Sequence, residues 1–459
     1  IANASDRRVA ASRLYQFVMS VREQGDSLPN VGALLGAKVV VDGKTLAVLT
    51  REQLAVLKPF AVVRALESHR QHVIVWATIY LVCVWVVALV WWARGIRGDH
   101  VLLAAAHLLT ALGFAALLAR QDPLRDTELF VRYAQLTACG LILFAVVSVL
   151  DFRKAARIGL TYVPLVCALV LSVLLILLGQ GPAGSNAKVN LGPVQPVEFI
   201  RLLLALFLAG YFARRWELLR DVRGQTVRAF RVPAWLNLPR VDYVVPVVAG
   251  VAAALLFFFL QRDLGPALFL SCVFLITYAI ARNRVGLAVI GFAILGAGFY
   301  VGYALNISST LTARVAMWQS TWDNGFRGGE QIAQAIWGLS TGGLFGTGLG
   351  LGDTGYVPAG FTDLMLAAIG EELGFVGLFA VAVLFVMIAA RGFNVALQAA
   401  DDYGFFLATV LTLFLTLPVL VMGAGMLGVI PLTGVVTPFL SFGGSAMLAN
   451  FIALGIITA

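Results

Sequence analysis

Charge is scarce in this chain. Only 12% of its 459 residues are Asp, Glu, Lys or Arg, while 60% are hydrophobic and the mean hydropathy is +0.90. A soluble domain carries about 25% charged residues, so half the usual charge cannot cover a water-facing surface of this size. Cysteine is scarce too. Cys83, Cys139, Cys167 and Cys272 all lie in apolar runs without CxxC spacing and read as small buried hydrophobes, which excludes a disulfide framework. With four histidines, no His/Cys/carboxylate cluster has zinc spacing, and neither a P-loop nor a Rossmann glycine pattern occurs. What remains is a polytopic helical membrane protein. Its 46 Gly and 15 Pro suit membrane helices that pack closely or line cavities.

The hydrophobic residues fall into runs long enough to cross a bilayer, which takes about 20 helical residues. Spans are predicted near 73–93, 101–119, 132–150, 158–178, 197–213, 243–260, 264–281, 285–305, 363–390, 404–426 and 432–457. Residues 1–72 form a small extramembrane region of unknown function. "AKVVVDGKTLAVLT" reads as a hairpin around Asp42-Gly43, and "REQLAVLKPFAVVRAL" as a helix with Thr50 at its N-cap. The stretch 306–362 is too polar and Gly-rich to span. Its length marks it as a functional loop, with a short helix around "EQIAQAIWGL".

The net charge of +9 reflects the Lys/Arg bias of cytoplasmic loops rather than a nucleic-acid partner. Residues 214–240 hold seven arginines against Glu217 and Asp221, and "RGIR" (94–97), "RKAAR" (153–157) and Arg282/Arg284 fall on the same side once the spans alternate. That side is expected to be cytoplasmic, with 120–131, 179–196 and 306–362 outside. Residues 1–72 then also lie outside, which requires a span or signal upstream of Ile1.

Ionisable residues at membrane depth are costly and mark function by default. Glu198 and Arg201 are helical neighbours at i,i+3, readable as a structural ion pair or as the polar wall of a substrate cavity. Asp263, in "QRDLGP", reads as a helix N-cap or as the rim of an outward-facing cavity. In "GFTDLMLAAIGEELGFVGLF", Thr362 or Asp363 could cap the following helix. Glu371 and Glu372 lie about 12 Å further along it at 1.5 Å per residue, which capping does not explain.

Several of these segments together resemble one family. "GVIPLTG" and "VTPFLSFGGSAMLANF" (436–451) are similar to the C-terminal signature of the SEDS proteins, the FtsW/RodA/SpoVE group. "LGPVQPVEFIRLLLALFLA" resembles its QPSEF segment, "QRDLGPAL" its QPDLGT segment, and "GGLFGTGLGLG…VPAGFTDLMLAAIGEELGFVG" its glycine-rich loop and TDF…GEELG stretch; Arg314 and Trp318 sit where that loop begins. The four blocks follow the family order across residues 101–459. The resemblance implies an all-α ten-span bundle with a long external loop, to which the span 73–93 is an addition.

It further implies a peptidoglycan glycosyltransferase of the bacterial cytoplasmic membrane, its active site facing outward. Such an enzyme polymerises lipid II for elongation, division or sporulation, with a class B penicillin-binding protein and other divisome or elongasome membrane proteins as partners. The proposed catalytic aspartate falls on Asp363, the intramembrane acid–base pair on Glu198 and Arg201, and the QPD aspartate on Asp263. Thr362, Glu371 and Glu372 stay candidates for the substrate cleft. Ala359 and Phe361 replace the family's Glu and His, and Met422 its Asn.

Such chemistry needs a base for a sugar hydroxyl and cations for a leaving pyrophosphate. Arg201, Arg262 and Arg314 are candidates for the latter, as is a divalent metal; no other cofactor is implied. Two other classes remain open: a lipid II flippase or other transporter, and an inactive scaffold. No internal repeat of the kind transporters show relates the two halves.

Cysteines introduced singly at Gly328 and Gln225, in a background lacking the native four, are expected to label only from outside and only from inside, respectively. The reverse pattern would overturn the placement of the site as well.

Overall fold

The computed structural model describes the chain except for residues 1–3, 25–27, 29, 36, 42–43, 96–97, 121, 151, 153–160, 182–187, 193, 222–240, 323–328 and 358. The Asp42-Gly43 turn, "RKAAR", Arg97, Arg223, Arg228, Arg231, Arg240, Gln225 and Gly328 therefore lie outside the described residues.

Two compact units emerge: residues 1–81 with 117–135, and residues 82–116 with 136–459. In the first, α1 (Ala4–Glu23) precedes an antiparallel hairpin of β1 (Lys38–Val41) and β2 (Lys44–Ala47), with Lys38 opposite Ala47. α2 (Arg51–Leu57) starts at Thr50, whose hydroxyl accepts from the Gln53 amide while the Gln53 side chain accepts from the Thr50 amide. The helix expected to continue from there stops at Leu57, and Pro59 sits in a single 3-10 turn (Lys58–Phe60). Val31, Leu34, Ala37, Val48 and Leu49 form a small core. Glu128 takes Nδ1 of His69 and of His72 on its two oxygens, at 2.9 and 2.7 Å, with Arg64 Nε 3.3 Å away.

The apolar helices match the expected spans: α3 (Leu66–Arg94), α4 (His100–Arg120), α5 (Leu129–Val147), α6 (Val163–Leu178), α7 (Pro196–Asp221), α8 (Val241–Leu260), α9 (Leu264–Arg282), α10 (Gly286–Ala304), α13 (Met365–Leu397), α14 (Asp402–Met426) and α15 (Gly444–Thr458). Among the described residues nine of these are long and apolar enough to cross a membrane; α6 and α15 are shorter. The protein is an all-α polytopic membrane protein. In the second unit α7 and α14 form the centre, where Phe207, Phe212 and Phe414 are fully buried, and Phe212 stacks on Phe274 and Phe406.

Three expectations need correction. The last span, expected as one run over 432–457, is helical only from Gly444; Pro431, Gly434 and Pro438 interrupt it, since proline removes an amide donor and clashes with a preceding carbonyl. Loop 306–362 holds two helices, the expected one at α12 (Gly329–Gly342) and an unexpected α11 (Ser309–Gln319). The cysteines are free but not buried: Cys139 and Cys167 are exposed, Cys83 and Cys272 half-buried. In a bilayer an apolar side chain needs no protein cover.

The glycine-rich loop docks on a break in α13. Gly374 there has φ +66°, which releases the amides of Phe375 and Val376 to the carbonyls of Gly343 and Leu344. In return the carbonyls of Glu371 and Glu372 accept the amides of Thr347 and Gly348, both at 2.9 Å. A Cβ on Gly346, itself at φ +82°, would stand 2.1 Å from the Glu372 carbonyl oxygen, whereas one on Gly343, at φ +52°, would meet open space.

Two alanine substitutions should therefore differ. Gly343→Ala carries only the left-handed penalty of about 1–2 kcal/mol. Gly346→Ala adds a backbone clash, of the kind that costs about 1–3 kcal/mol more. Thermal unfolding should place Gly346→Ala clearly below Gly343→Ala, with faster proteolysis of the 343–353 loop; equal melting would mean the loop is not docked on the α13 break.

Candidate active site

Three helix starts, the middle of α11 and one irregular segment converge. Glu198 and Arg201 come from the first turns of α7, Asp263 from the turn between α8 and α9, Arg314 from α11, and Asp363 from the turn before α13. The segment 427–443 supplies backbone.

Arg201 is nearly inaccessible, with its side chain 4% exposed against 13% for Glu198, and its Nη1 donates to Glu198 Oε2 at 2.7 Å. Its guanidinium lies 4.1 Å from the centre of the Phe269 ring and 5.0 Å from that of Phe414. A buried guanidinium thus trades water for a carboxylate and two ring faces. Its Nε has no hydrogen-bond partner among the described residues.

Arg314 Nη1 donates to the Thr433 carbonyl at 2.6 Å. A Cβ on Gly434 would lie 3.4 Å from Arg314 Nη2 and 3.5 Å from Asp363 Oδ2, so that glycine is where guanidinium and carboxylate approach. Trp318 Nε1, one turn on from Arg314, donates to the Gly428 carbonyl at 2.6 Å. Both carbonyls are available because the segment is not helical.

Burial pushes the Asp263 carboxyl up to about 6; the charges of Arg314 and Arg201 oppose this and Glu198 adds to it. Asp363 is likewise raised by burial, against the pull of Arg314 and of hydrogen bonding with the Thr362 hydroxyl. Asp363 does not cap α13. The cap position is Leu364, without a side-chain cap bond. Asp263 occupies the cap position of α9, also without one.

Not every sequence candidate joins this group. Arg262 is exposed at φ 59°, shaping the α8–α9 turn. Thr362 bonds the Ala359 carbonyl at 3.1 Å, closing the turn that carries Asp363. Glu371 and Glu372, 3% and 1% exposed, face the glycine-rich loop: Glu371 Oε1 accepts the Asp353 amide at 2.7 Å, and Glu372 Oε1 the Thr354 hydroxyl at 3.3 Å. Their burial in the helix is as the sequence suggests; their partners are loop groups.

Sequence reasoning missed Phe269, Phe414 and Thr433. No pattern marks a phenylalanine as the face beneath an arginine, but the glycine of "GVIPLTG" is a signal of close backbone approach. Among the described residues no group of three or more His, Cys, Asp or Glu is placed to hold a metal ion.

Breaking one member of the buried pair leaves an uncompensated charge, at a cost of about 3–5 kcal/mol. Glu198→Ala and Arg201→Ala should each lower thermal stability or yield, and the double variant should lose less than their sum. Additive losses would show that the two groups are not coupled.

The family described as "Cell cycle protein", FtsW/RodA/SpoVE, matches residues 99–459. The chain is 30% identical over 364 residues to "Peptidoglycan glycosyltransferase RodA" of Mycobacterium leprae, covering 79% of this chain and 70% of that one. It is 34% identical over 331 residues to the protein of that name from Mycobacterium tuberculosis H37Rv (70% and 68%). Stage V sporulation protein E of Bacillus subtilis is 27% identical over 369 residues (78% and 95%). Among solved structures, a chain from "Structural coordination of polymerization and crosslinking by a peptidoglycan synthase complex" superposes with a TM-score of 0.62 at 24% identity (79% and 97%). The crystal structure of Thermus thermophilus rod shape determining protein RodA gives 0.55 at 23% (79% and 96%), so both share the fold. From residue 99 to its end, the chain belongs to the FtsW/RodA/SpoVE family.

Proposed function

We propose that this chain is a peptidoglycan glycosyltransferase that polymerises lipid II at the outer face of the bacterial cytoplasmic membrane, with Asp363 as the general base. The observation that carries the role of Asp363 is its placement: a desolvated carboxylate, free of any capping duty, beside Arg314. The names of the relatives supply the reaction class.

The reaction joins the 4-hydroxyl of one sugar to the anomeric carbon of another. The new bond forms between hydroxyl oxygen and anomeric carbon, the bond from that carbon to the lipid pyrophosphate breaks, and the hydroxyl proton passes to Asp363. An ordinary aspartate, with a pKa near ~3.9, is a feeble base at neutral pH. Burial raises that of Asp363 and so improves it as an acceptor. The leaving pyrophosphate is an anion, and Arg314, oriented by the Thr433 carbonyl, supplies positive charge to the site.

A class B penicillin-binding protein is the expected partner, since polymerised glycan must be crosslinked. A transporter reading draws on the Glu198–Arg201 pair, but that pair is closed on itself and on two rings. A scaffold reading expects Asp363 to be sealed off, whereas it keeps part of its surface accessible.

Asp363→Asn preserves shape and removes the base, a loss that costs about 10²–10⁴-fold in rate. Glycan polymerisation by the purified chain should fall by that factor, with thermal stability near wild type. Normal polymer yield would refute the role. The acid limb of the wild-type rate should lie above the ordinary carboxylate range, because a raised pKa keeps the base protonated to higher pH.

A further inference from the structure

A groove that shares no residue with the acid cluster runs between the C-terminal ends of α3 and α5. It measures about 600 Å³, within the ~300–1,000 Å³ of small-molecule sites. Val86, Val87 and Val90 of α3 form one wall, Ala145 and Val149 the other, and among the described residues Arg94 is the one charged group that lines it.

The two walls are fastened together. Trp91 is fully buried, donates from its indole Nε1 to Ser148 Oγ at 3.0 Å, and packs against Phe144 and His100 with ring centres 5.3 and 5.2 Å apart. The groove is therefore built into the fold. Next to it Trp92 is 80% exposed, as suits a residue at the membrane–water boundary. Arg94, in the last turn of α3, is exposed, and no ion pair among the described residues involves it.

In a bilayer the apolar walls do not discriminate, because lipid tails are as apolar as valine. Selection falls to Arg94. A guanidinium at the end of an alkyl-lined groove matches a phosphate at the end of an acyl chain, which it can grip in two places. A protein helix in the groove would instead bury Arg94 without an anion, an expensive arrangement. We infer that this groove binds an anionic phospholipid of the leaflet at the Arg94 end, with an acyl chain along α3 and α5 and the phosphate on Arg94.

The test is native mass spectrometry of the full chain in detergent, titrated with phosphatidylglycerol or with phosphatidylcholine of the same chains. Wild type should retain phosphatidylglycerol preferentially. Arg94→Gln should weaken that retention about fivefold, the worth of one basic group near an anionic headgroup, while Arg94→Lys largely keeps it. Ala145→Trp, which fills the groove, should lose the bound lipid of either kind. Melting temperatures near wild type for the Gln and Trp variants confirm that both fold. Equal retention of the two lipids by wild type, an unchanged preference in Arg94→Gln, or lipid retained in Ala145→Trp would each overturn the site, as would a lipid-free dimer that Ala145→Trp dissociates.

Discussion

Three carboxylates, Glu198, Asp263 and Asp363, share two guanidiniums, Arg201 and Arg314, at one end of the membrane unit. Charges removed from water must be compensated or they neutralise. The two arginines divide the task unequally. Arg201 is paired with one carboxylate and covered by two phenyl rings, and lends Asp263 only the field of its charge. Among the described residues Arg314 has one hydrogen bond, to a carbonyl, and it stands in the field of both aspartates. The set is one positive charge short, which is why burial wins at Asp263 and Asp363 and their carboxyls hold protons more tightly than usual.

That arrangement depends on backbone that refuses to be helical. In a continuous helix the carbonyls of Gly428 and Thr433 would accept from amides four residues on. Prolines and glycines between 428 and 444 break the ladder, and those carbonyls turn instead to Trp318 and Arg314. The same segment and the helix start that follows it bind the neighbouring elements: the Phe442 amide donates to the Phe361 carbonyl at 2.8 Å, and Ser445 Oγ, in the first turn of α15, accepts the Gln195 amide at 2.8 Å just ahead of α7. A Cβ on Gly265 would meet the Thr433 carbonyl at 2.7 Å, which shows how closely the segment lies against the start of α9. One irregular stretch thus sets the positions of the residues on α7, α9, α11 and the α13 turn together.

Much of this was legible before any coordinates. The eleven apolar segments announce themselves by length, since a bilayer needs about 20 helical residues and tolerates few charges. Acids inside or at the edges of such runs are conspicuous for the same reason, so Glu198, Asp363, Glu371 and Glu372, and Asp263 in the tight link between two runs, could be picked out. Their roles could not all be read. Sequence spacing puts Glu371 and Glu372 deep in a helix without saying that the glycine-rich loop folds back to meet them. Phe269 and Phe414 are indistinguishable from the chain's other phenylalanines until α9 and α14 bring them to Arg201. The cysteines mislead because apolar surroundings mean protein in water but lipid in a membrane.

The departures from the family pattern beside Asp363 are intelligible in the same terms. Where the family carries Glu and His, this chain has Ala359 and Phe361. The turn presenting Asp363 is closed by main-chain groups: the Ala359 carbonyl accepts the amides of Thr362 and Leu364 and the Thr362 hydroxyl. Phe361 contributes its carbonyl to Phe442 and sets its ring edge-on to that residue's ring, 6.3 Å away. Neither contact needs an acid or an imidazole. Ala359 takes φ 53°, a left-handed turn that costs a non-glycine residue about 1–2 kcal/mol and persists because those three bonds converge on its carbonyl. The aspartate is held by geometry that the two replacements leave intact. What they remove is titratable side chains beside Asp363, which leaves Asp363 as the one ionisable group of residues 359–364.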